Sequence, residues 1–178
     1  MDAVKKPFMV AVSGVKNSGK TTFLEHLVPE LKKRGVCVAV IKHDGHEFEP
    51  DVAGTDTWKL RKAGAYGTAI FSKGQWMMVK QQPDMDEKEI AKCFPEADVI
   101  LLEGFKYSKY PKFEIVRKGN SEESVCDPST LLGLVTDTRL VLPEVPVLGL
   151  SDWEKAADLV VGLYQNYGLP VEKSVIKW

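Results

Sequence analysis

A short segment near the amino terminus combines glycine, lysine and threonine in a spacing that suits phosphate binding. Residues 14–21 read GVKNSGKT and match the pattern GxxxxGK(S/T) at each fixed position. Glycines let several backbone N–H groups converge on a phosphate, and the N-terminus of a following helix adds partial positive charge. The lysine can then reach the β and γ phosphates, and the threonine hydroxyl can ligate Mg²⁺. The segment predicts a nucleotide site formed by Gly14, Asn17, Ser18, Gly19, Lys20, Thr21 and Thr22.

A site of this kind also needs a carboxylate near the metal, normally at the end of a neighbouring buried strand. Glu103 follows the largely apolar run 98–102 and precedes Gly104, whose missing side chain leaves room beside the γ phosphate. The alternative is a strand-end glutamate that faces solvent. We interpret Glu103 as the metal-side carboxylate, which makes Thr21 and Glu103 the predicted metal ligands.

The loop after Lys42 is polar and should lie at the carboxyl edge of the sheet, where open α/β sheets bind their ligands. His43 and His46 have the spacing of metal ligands, but the sequence supplies no convincing third ligand for zinc. We therefore predict that the loop contacts phosphate or a partner, through His43 and Asp44.

Carboxylates of the same region can hold the metal's water shell or orient an attacking water. The sequence does not choose among Asp44, Asp51 and Asp56. Asp56 opens a short predicted helix, and it joins Lys20 and Glu103 as a catalytic candidate.

Asp137 follows a predicted strand at residues 131–135 and is a candidate contact of the nucleotide base. Guanine offers its N1–H and its exocyclic amine to a carboxylate, whereas adenine has no such pair of donors. A loop aspartate that caps residues 138–140 is the alternative, and the sequence leaves the two interpretations open.

The elements that must position these residues follow from hydrophobic patterning. An apolar run at 8–12, a helical repeat that ends at Gly35, and a β-branched run at 36–41 predict a βαβ unit with parallel strands. Further strands are predicted at 98–102, 112–117, 131–135 and 147–150, helices at 56–63, 86–94 and 153–167, and an antiparallel hairpin, added to the sheet, at 68–72 and 75–80. We predict one α/β domain over 1–178, a three-layer P-loop NTPase fold with a mostly parallel sheet.

Composition excludes several classes of protein. The 178 residues are 44% hydrophobic and 28% charged, which is typical of a globular chain, and the net charge of −1 provides no general attraction to nucleic acid or to a membrane surface. No apolar stretch is long enough to span a bilayer, and no signal-peptide cleavage site follows the first residues. Three widely spaced cysteines predict neither a disulfide framework nor a cysteine zinc site, so we expect a cytoplasmic protein.

Segments 14–22, 41–46, 56–65 and 102–106, in this order, resemble the MobB family, molybdopterin-guanine dinucleotide biosynthesis protein B. The resemblance implies a protein that binds GTP with Mg²⁺, hydrolyses it slowly at most, and serves the attachment of GMP to molybdopterin by a partner guanylyltransferase, MobA. It also implies a homodimer in which two sheets join, and the 68–80 hairpin could supply the joining edge. Glu103 takes the Walker B position, where Asp is commoner, which favours metal ligation through water.

Two other functions use the same loop. A small-molecule kinase would need a basic, mobile lid, and no arginine-rich lid segment is present in the sequence. A metal-delivery GTPase would rest on His43, His46 and the cysteines alone.

Overall fold

The computed structural model describes residues 7–45 and 48–167. Within these residues the chain divides into two compact units: Asp44–Glu89, which we call the hairpin unit, and the residues before and after it, which we call the sheet unit. In chain order the elements are β1 (Phe8–Ser13), α1 (Lys20–Lys33), β2 (Val38–Lys42), α2 (Asp56–Lys62), β3 (Gly67–Phe71), β4 (Trp76–Lys80), α3 (Glu87–Ala91), β5 (Val99–Glu103), β6 (Lys112–Val116), β7 (Leu131–Thr136), β8 (Val147–Leu148) and α4 (Trp153–Asn166).

The sheet unit is built on six parallel strands in the order β2-β5-β1-β6-β7-β8. β1 and β2 are parallel and separated by β5, so the first strand, helix and strand form the predicted crossover. β2 begins two residues later than predicted because the Val36 amide still donates to the Leu31 carbonyl at the end of α1, at 3.2 Å. The predicted α/β fold is confirmed.

The central strands bury side chains on both faces, as expected for a covered parallel sheet. Val99 and Leu101 of β5 face the core that α1 and α4 complete. Ile100 and Leu102 face the opposite side and pack with Ala91 of α3. None of the described helices is long and apolar enough to cross a membrane.

α3 is shorter than the predicted helix at 86–94. Its beginning is capped by Asp86, whose carboxylate accepts hydrogen bonds from the amides of Lys88 and Glu89. Its end is set by Pro95, because the residue before a proline avoids helical backbone angles. The chain therefore passes into tighter turns at Cys93 and the residue after it.

The hairpin unit contains α2 and the antiparallel pair β3 and β4. The hairpin is confirmed, but it forms a two-stranded sheet of its own instead of adding to the six-stranded sheet. A tight turn satisfies the hairpin locally, because the Ser72 amide donates to the Gln75 carbonyl at 2.8 Å. None of the described residues of this unit is buried. The prediction of one domain over 1–178 stays a prediction.

Candidate nucleotide-binding site

The loop between β1 and α1 requires backbone angles that favour glycine. Gly14 has a φ of +138°, Gly19 one of +99°, and Asn17 also lies in the left-handed region at +62°. A Cβ added to Gly14 would lie 2.6 Å from the carbonyl oxygen of Ile115 in β6 and 2.7 Å from Oγ of Ser18. Gly14 is therefore needed for both its angle and its missing side chain.

Lys20, the first residue of α1, folds back onto this loop. Its Nζ donates to the carbonyl oxygens of Val15 at 2.7 Å and Gly14 at 3.3 Å. Burial lowers the pKa of Lys20; the charge of Glu103 raises that pKa, while the charges of Lys42 and Lys106 lower it further. Two further ammonium groups thus act on Lys20 beside the loop, an arrangement that a polyanion would stabilise.

Thr21, the residue after Lys20, contacts Glu103. Thr21 Oγ1 donates to the two carboxylate oxygens of Glu103 at 3.1 and 3.2 Å. Glu103 is only 8% exposed, so it is not the solvent-facing glutamate of the alternative interpretation. Strand register places Lys42 and Val12 on either side of Glu103, and Lys42 Nζ lies 3.5 Å from Oε1 of the carboxylate. The structure therefore brings together the two predicted metal ligands.

The turn that follows Glu103 is held to both neighbouring strands. Gly104 has a φ of +106°, its amide donates to the Val12 carbonyl at 2.9 Å, and its carbonyl accepts from the buried Ser13 hydroxyl at 2.5 Å. The His43 amide donates to the Glu103 carbonyl at 3.3 Å. The ring of His43 then meets that of Phe105 edge-on, with centroids 5.6 Å apart. His43 thus lies beside the Glu103 turn, as its predicted position at the sheet edge requires.

Asp137 is exposed at the end of β7, and one carboxylate oxygen accepts a hydrogen bond from the Lys118 amide at 2.7 Å. Two of the three amides at residues 138–140 bind threonine hydroxyls: Thr138 N donates to Thr136 Oγ1 at 3.0 Å, and Leu140 N donates to Thr138 Oγ1 at 3.1 Å. Asp137 itself is bound to the loop after β6.

That loop also contacts the phosphate-binding segment. Asn120 Nδ2 donates to the carbonyl oxygen of Lys16 at 3.1 Å. The loop after β6 therefore joins the end of β7, through the Lys118 amide, to the 14–21 segment. Sequence reasoning missed Asn120, because an isolated asparagine in a polar loop gives no signal of a contact so distant in sequence.

Lys112 and Glu114 of β6 are two more residues that sequence reasoning missed. Both are fully buried. Lys112 Nζ donates to the carbonyl oxygens of Phe105, Lys106 and Ser108. Glu114 accepts from the Ser124 hydroxyl and from the Val125 amide. Each of these buried side chains therefore binds the backbone of a neighbouring loop.

Asp44, Asp51 and Asp56 belong to the hairpin unit, so their predicted roles stay predictions. Asp51 accepts hydrogen bonds from the hydroxyls of Thr57 and Thr55, which lower the pKa of its carboxyl group, the Thr57 bond most strongly. Asp56 opens α2 with a side chain that is 98% exposed. His46 lies outside the described residues. Within the part that is described, no three His, Cys, Asp or Glu side chains are grouped to hold a metal ion.

The donors and acceptors present fit a phosphate with Mg²⁺. Ser18 Oγ is buried and has no hydrogen-bond partner among the described residues, and buried hydroxyls normally have one. Gly14 keeps the loop open, and the oxygens of Thr21 and Glu103 are the hard ligands that Mg²⁺ prefers. A glycine loop between the central strand and a helix that starts with lysine and threonine defines the P-loop NTPase fold.

Residues 9–137 match the profile of a family described as "MobB: Molybdopterin guanine dinucleotide synthesis protein B", and this chain belongs to that family. It is 34% identical over 166 residues to the molybdopterin-guanine dinucleotide biosynthesis adapter protein of Escherichia coli strain K12, covering 89% of this chain and 94% of the relative. It is also 35% identical over 128 residues to the probable molybdopterin-guanine dinucleotide biosynthesis adapter protein of Bacillus subtilis strain 168. This match covers 69% of this chain and 73% of the relative. The crystal structure of Bacillus subtilis MobB superposes with a TM-score of 0.71 at 29% identity, covering 86% of this chain and 96% of that one.

Proposed function

We propose that this chain binds GTP with Mg²⁺, hydrolyses it slowly at most, and acts in the cytoplasm as an adapter for a MobA-like guanylyltransferase in molybdopterin guanine dinucleotide biosynthesis. The observation that carries the nucleotide part is the contact of Thr21 with Glu103 beside the glycine loop. The adapter part rests on family membership and on the names of the relatives.

The amides of 14–19 and the ammonium of Lys20 would bind the phosphates, and Lys20 would exchange its contacts with the Gly14 and Val15 carbonyls for phosphate oxygens. Thr21 and Glu103 would hold Mg²⁺, Glu103 through a water, and the ion would supply charge stabilisation at the phosphates. Asp44, Asp51 or Asp56 would orient an attacking water.

Calorimetric titration with GTP and with ATP, both in Mg²⁺, tests the proposal. GTP should bind more tightly, and Asp137→Ala should reduce the difference because it removes the acceptor for the guanine donors. Lys20→Ala should abolish binding. Lys16→Ala is the matched control: it removes a neighbouring lysine side chain from the same loop and leaves the Lys16 carbonyl that Asn120 binds. Equal affinity for the two nucleotides would remove the guanine assignment, and unchanged affinity in Lys20→Ala would remove the site.

We also propose a homodimer formed through the hairpin unit. Ten of the large apolar side chains that are exposed in the described chain lie in this unit, against six elsewhere. Phe71 and Trp76 are directly paired across the hairpin and are 84% and 62% exposed, next to the exposed Met78. Such a patch on a two-stranded sheet with open edges favours association with a second sheet.

Phe71→Glu should shift the dimer to monomers, because it places a charge in the apolar contact. Val141→Glu, at a position that is 70% exposed in the sheet unit, is the control and should leave the dimer unchanged. Light scattering across a range of concentrations measures both variants. A hairpin deletion that left the dimer intact would reject the proposal.

The adapter role is tested with a purified guanylyltransferase, molybdopterin and GTP. Addition of this chain should increase the yield of molybdopterin guanine dinucleotide, and the Lys20→Ala variant should increase it less. No increase with the unaltered chain would contradict the adapter role and leave the nucleotide site untouched.

A further inference from the structure

Lys112 is a lysine with no exposed surface at the start of β6. Lysine is rarely buried, because removal of its charge from water is unfavourable unless oxygen atoms replace the water. Here Nζ donates to the Ser108 carbonyl at 2.6 Å, to the carbonyls of Phe105 and Lys106 at 3.3 Å each, and also lies 3.3 Å from the Ser108 hydroxyl. The ammonium therefore lies within a set of loop oxygens.

The loop that supplies these oxygens has an unfavourable backbone. Gly104 and Phe105 are consecutive residues with positive φ, +106° and +53°. A side chain such as that of Phe105 rarely adopts the left-handed region, so other contacts must stabilise it there. Lys112 binds the carbonyl of Phe105 itself and that of the next residue. The Lys112 ammonium thus binds the backbone at the residue with the unfavourable φ angle.

This loop joins Lys112 to the nucleotide site. Glu103 immediately precedes it, the Phe105 ring contacts the His43 ring, and the charge of Lys106 acts on Lys20. A change in the backbone conformation of residues 104–108 would therefore move Glu103, His43 and Lys106. Side chains alternate along β6, and Phe113 and Ile115 enter the core under α1 and α4. Lys112 and Glu114 therefore lie on the opposite face, where Lys112 binds the 104–108 loop and Glu114 binds the loop after β6.

We propose that Lys112 is a positioning residue of the nucleotide site: its buried ammonium fixes the 104–108 turn and, through that turn, the places of Glu103, His43 and Lys106. The part of this proposal that concerns the nucleotide rests on the function proposed above. The part that concerns the turn does not.

Lys112→Met tests the proposal, because methionine has nearly the same length and no charge. Glu114→Gln is the matched control: it alters the next buried charge on the same strand and face, whose hydrogen-bond partners lie at residues 124–126 instead of in the 104–108 turn. If Lys112→Met does not fold, Lys112→Gln replaces it, since it also removes the charge. Three quantities are measured for each variant: thermal unfolding, the ratio of GTP affinities with and without Mg²⁺, and the NMR signals of the His43 ring.

We expect both variants to unfold at lower temperature. The Lys112 variant alone should lower the Mg²⁺-dependent affinity ratio, by roughly tenfold or more, as the loss of an outer-shell contact to a metal site typically does. It alone should also shift the His43 ring signals, because the Phe105 ring moves. Rescue of both by Lys112→Arg, where it folds, would support the role of the charge.

An unchanged His43 signal in the Lys112 variant would overturn the proposal, as would equal shifts in the Glu114 control. A shifted His43 signal with an unchanged Mg²⁺ ratio would refute the link to the metal side of the site. Absence of GTP binding in the unaltered chain would refute the proposed function and, with it, that link, whereas the NMR comparison would still decide whether Lys112 holds the turn.

Discussion

Gly14→Ala separates the backbone requirement of the loop from its steric requirement. The new Cβ would lie 2.6 Å from the Ile115 carbonyl oxygen. That oxygen belongs to β6, which is paired on one side with β1 and on the other with β7, so it cannot retreat. Ser18 Oγ, at 2.7 Å, can rotate away. The contact with Ile115 therefore determines the energy of the substitution.

The magnitude follows from two contributions. An alanine held at a φ of +138° costs about 1–3 kcal/mol in backbone strain. We assign about 2 kcal/mol more to the carbonyl contact, in the range of overpacked sites. Gly35→Ala is the control for strain alone: it has a φ of +78° and no atom within 4 Å of the added Cβ, and it should cost about 1–2 kcal/mol. Urea unfolding measures the free energy of unfolding of both.

GTP affinity provides the second measurement. If the loop of the Gly14→Ala variant shifts to relieve the contact, GTP binding must restore the original loop conformation. A penalty of about 2 kcal/mol for this change raises the dissociation constant by roughly 30-fold. Gly35→Ala should bind GTP normally. A Gly14 variant no less stable than the Gly35 variant would refute the steric argument. Lost stability with normal GTP binding would show that phosphate is bound elsewhere.

Two further predictions concern the sheet unit. Burial raises the pKa of the Cys126 thiol to about 12. At pH 8 a thiol reagent should therefore label the exposed Cys37 and Cys93 quickly and Cys126 only after unfolding. Rapid labelling of all three cysteines would contradict the burial of Cys126. Tyr164→Phe removes a hydroxyl that donates to the Asp98 carboxylate and should lower the free energy of unfolding by about 1.5 kcal/mol in urea titration, and no loss would show that water replaces it.

Local signals were sufficient to predict the strands and the placement of Thr21 beside Glu103. β5 consists of apolar residues up to Glu103, and the glycine pattern before α1 marks the turn that precedes the helix. These signals are short in sequence, and each specifies its own backbone. The meeting of Thr21 with Glu103 follows once parallel strands align their carboxyl ends at one edge of the sheet.

The hairpin shows where such reasoning stops. Residues 67–80 contain a turn and two β-rich runs, and these predict that β3 and β4 pair. They carry no information on whether the pair extends a larger sheet, because that depends on which strand edges remain open after folding. The structure gives the pair a sheet of its own.

β6 shows the same limit at the level of single side chains. Its sequence, KFEIV, alternates, and alternation normally places the polar set in solvent. Alternation shows only which residues share a face, and it does not show what covers that face. Here loops cover it, and loops expose carbonyl and amide groups where a helix would present apolar side chains. A lysine suits carbonyls and a glutamate suits hydroxyl and amide donors, which is how Lys112 and Glu114 are used. The buried charges of β6 are therefore evidence that loops, and not a helix, cover this strand on the face opposite α1 and α4.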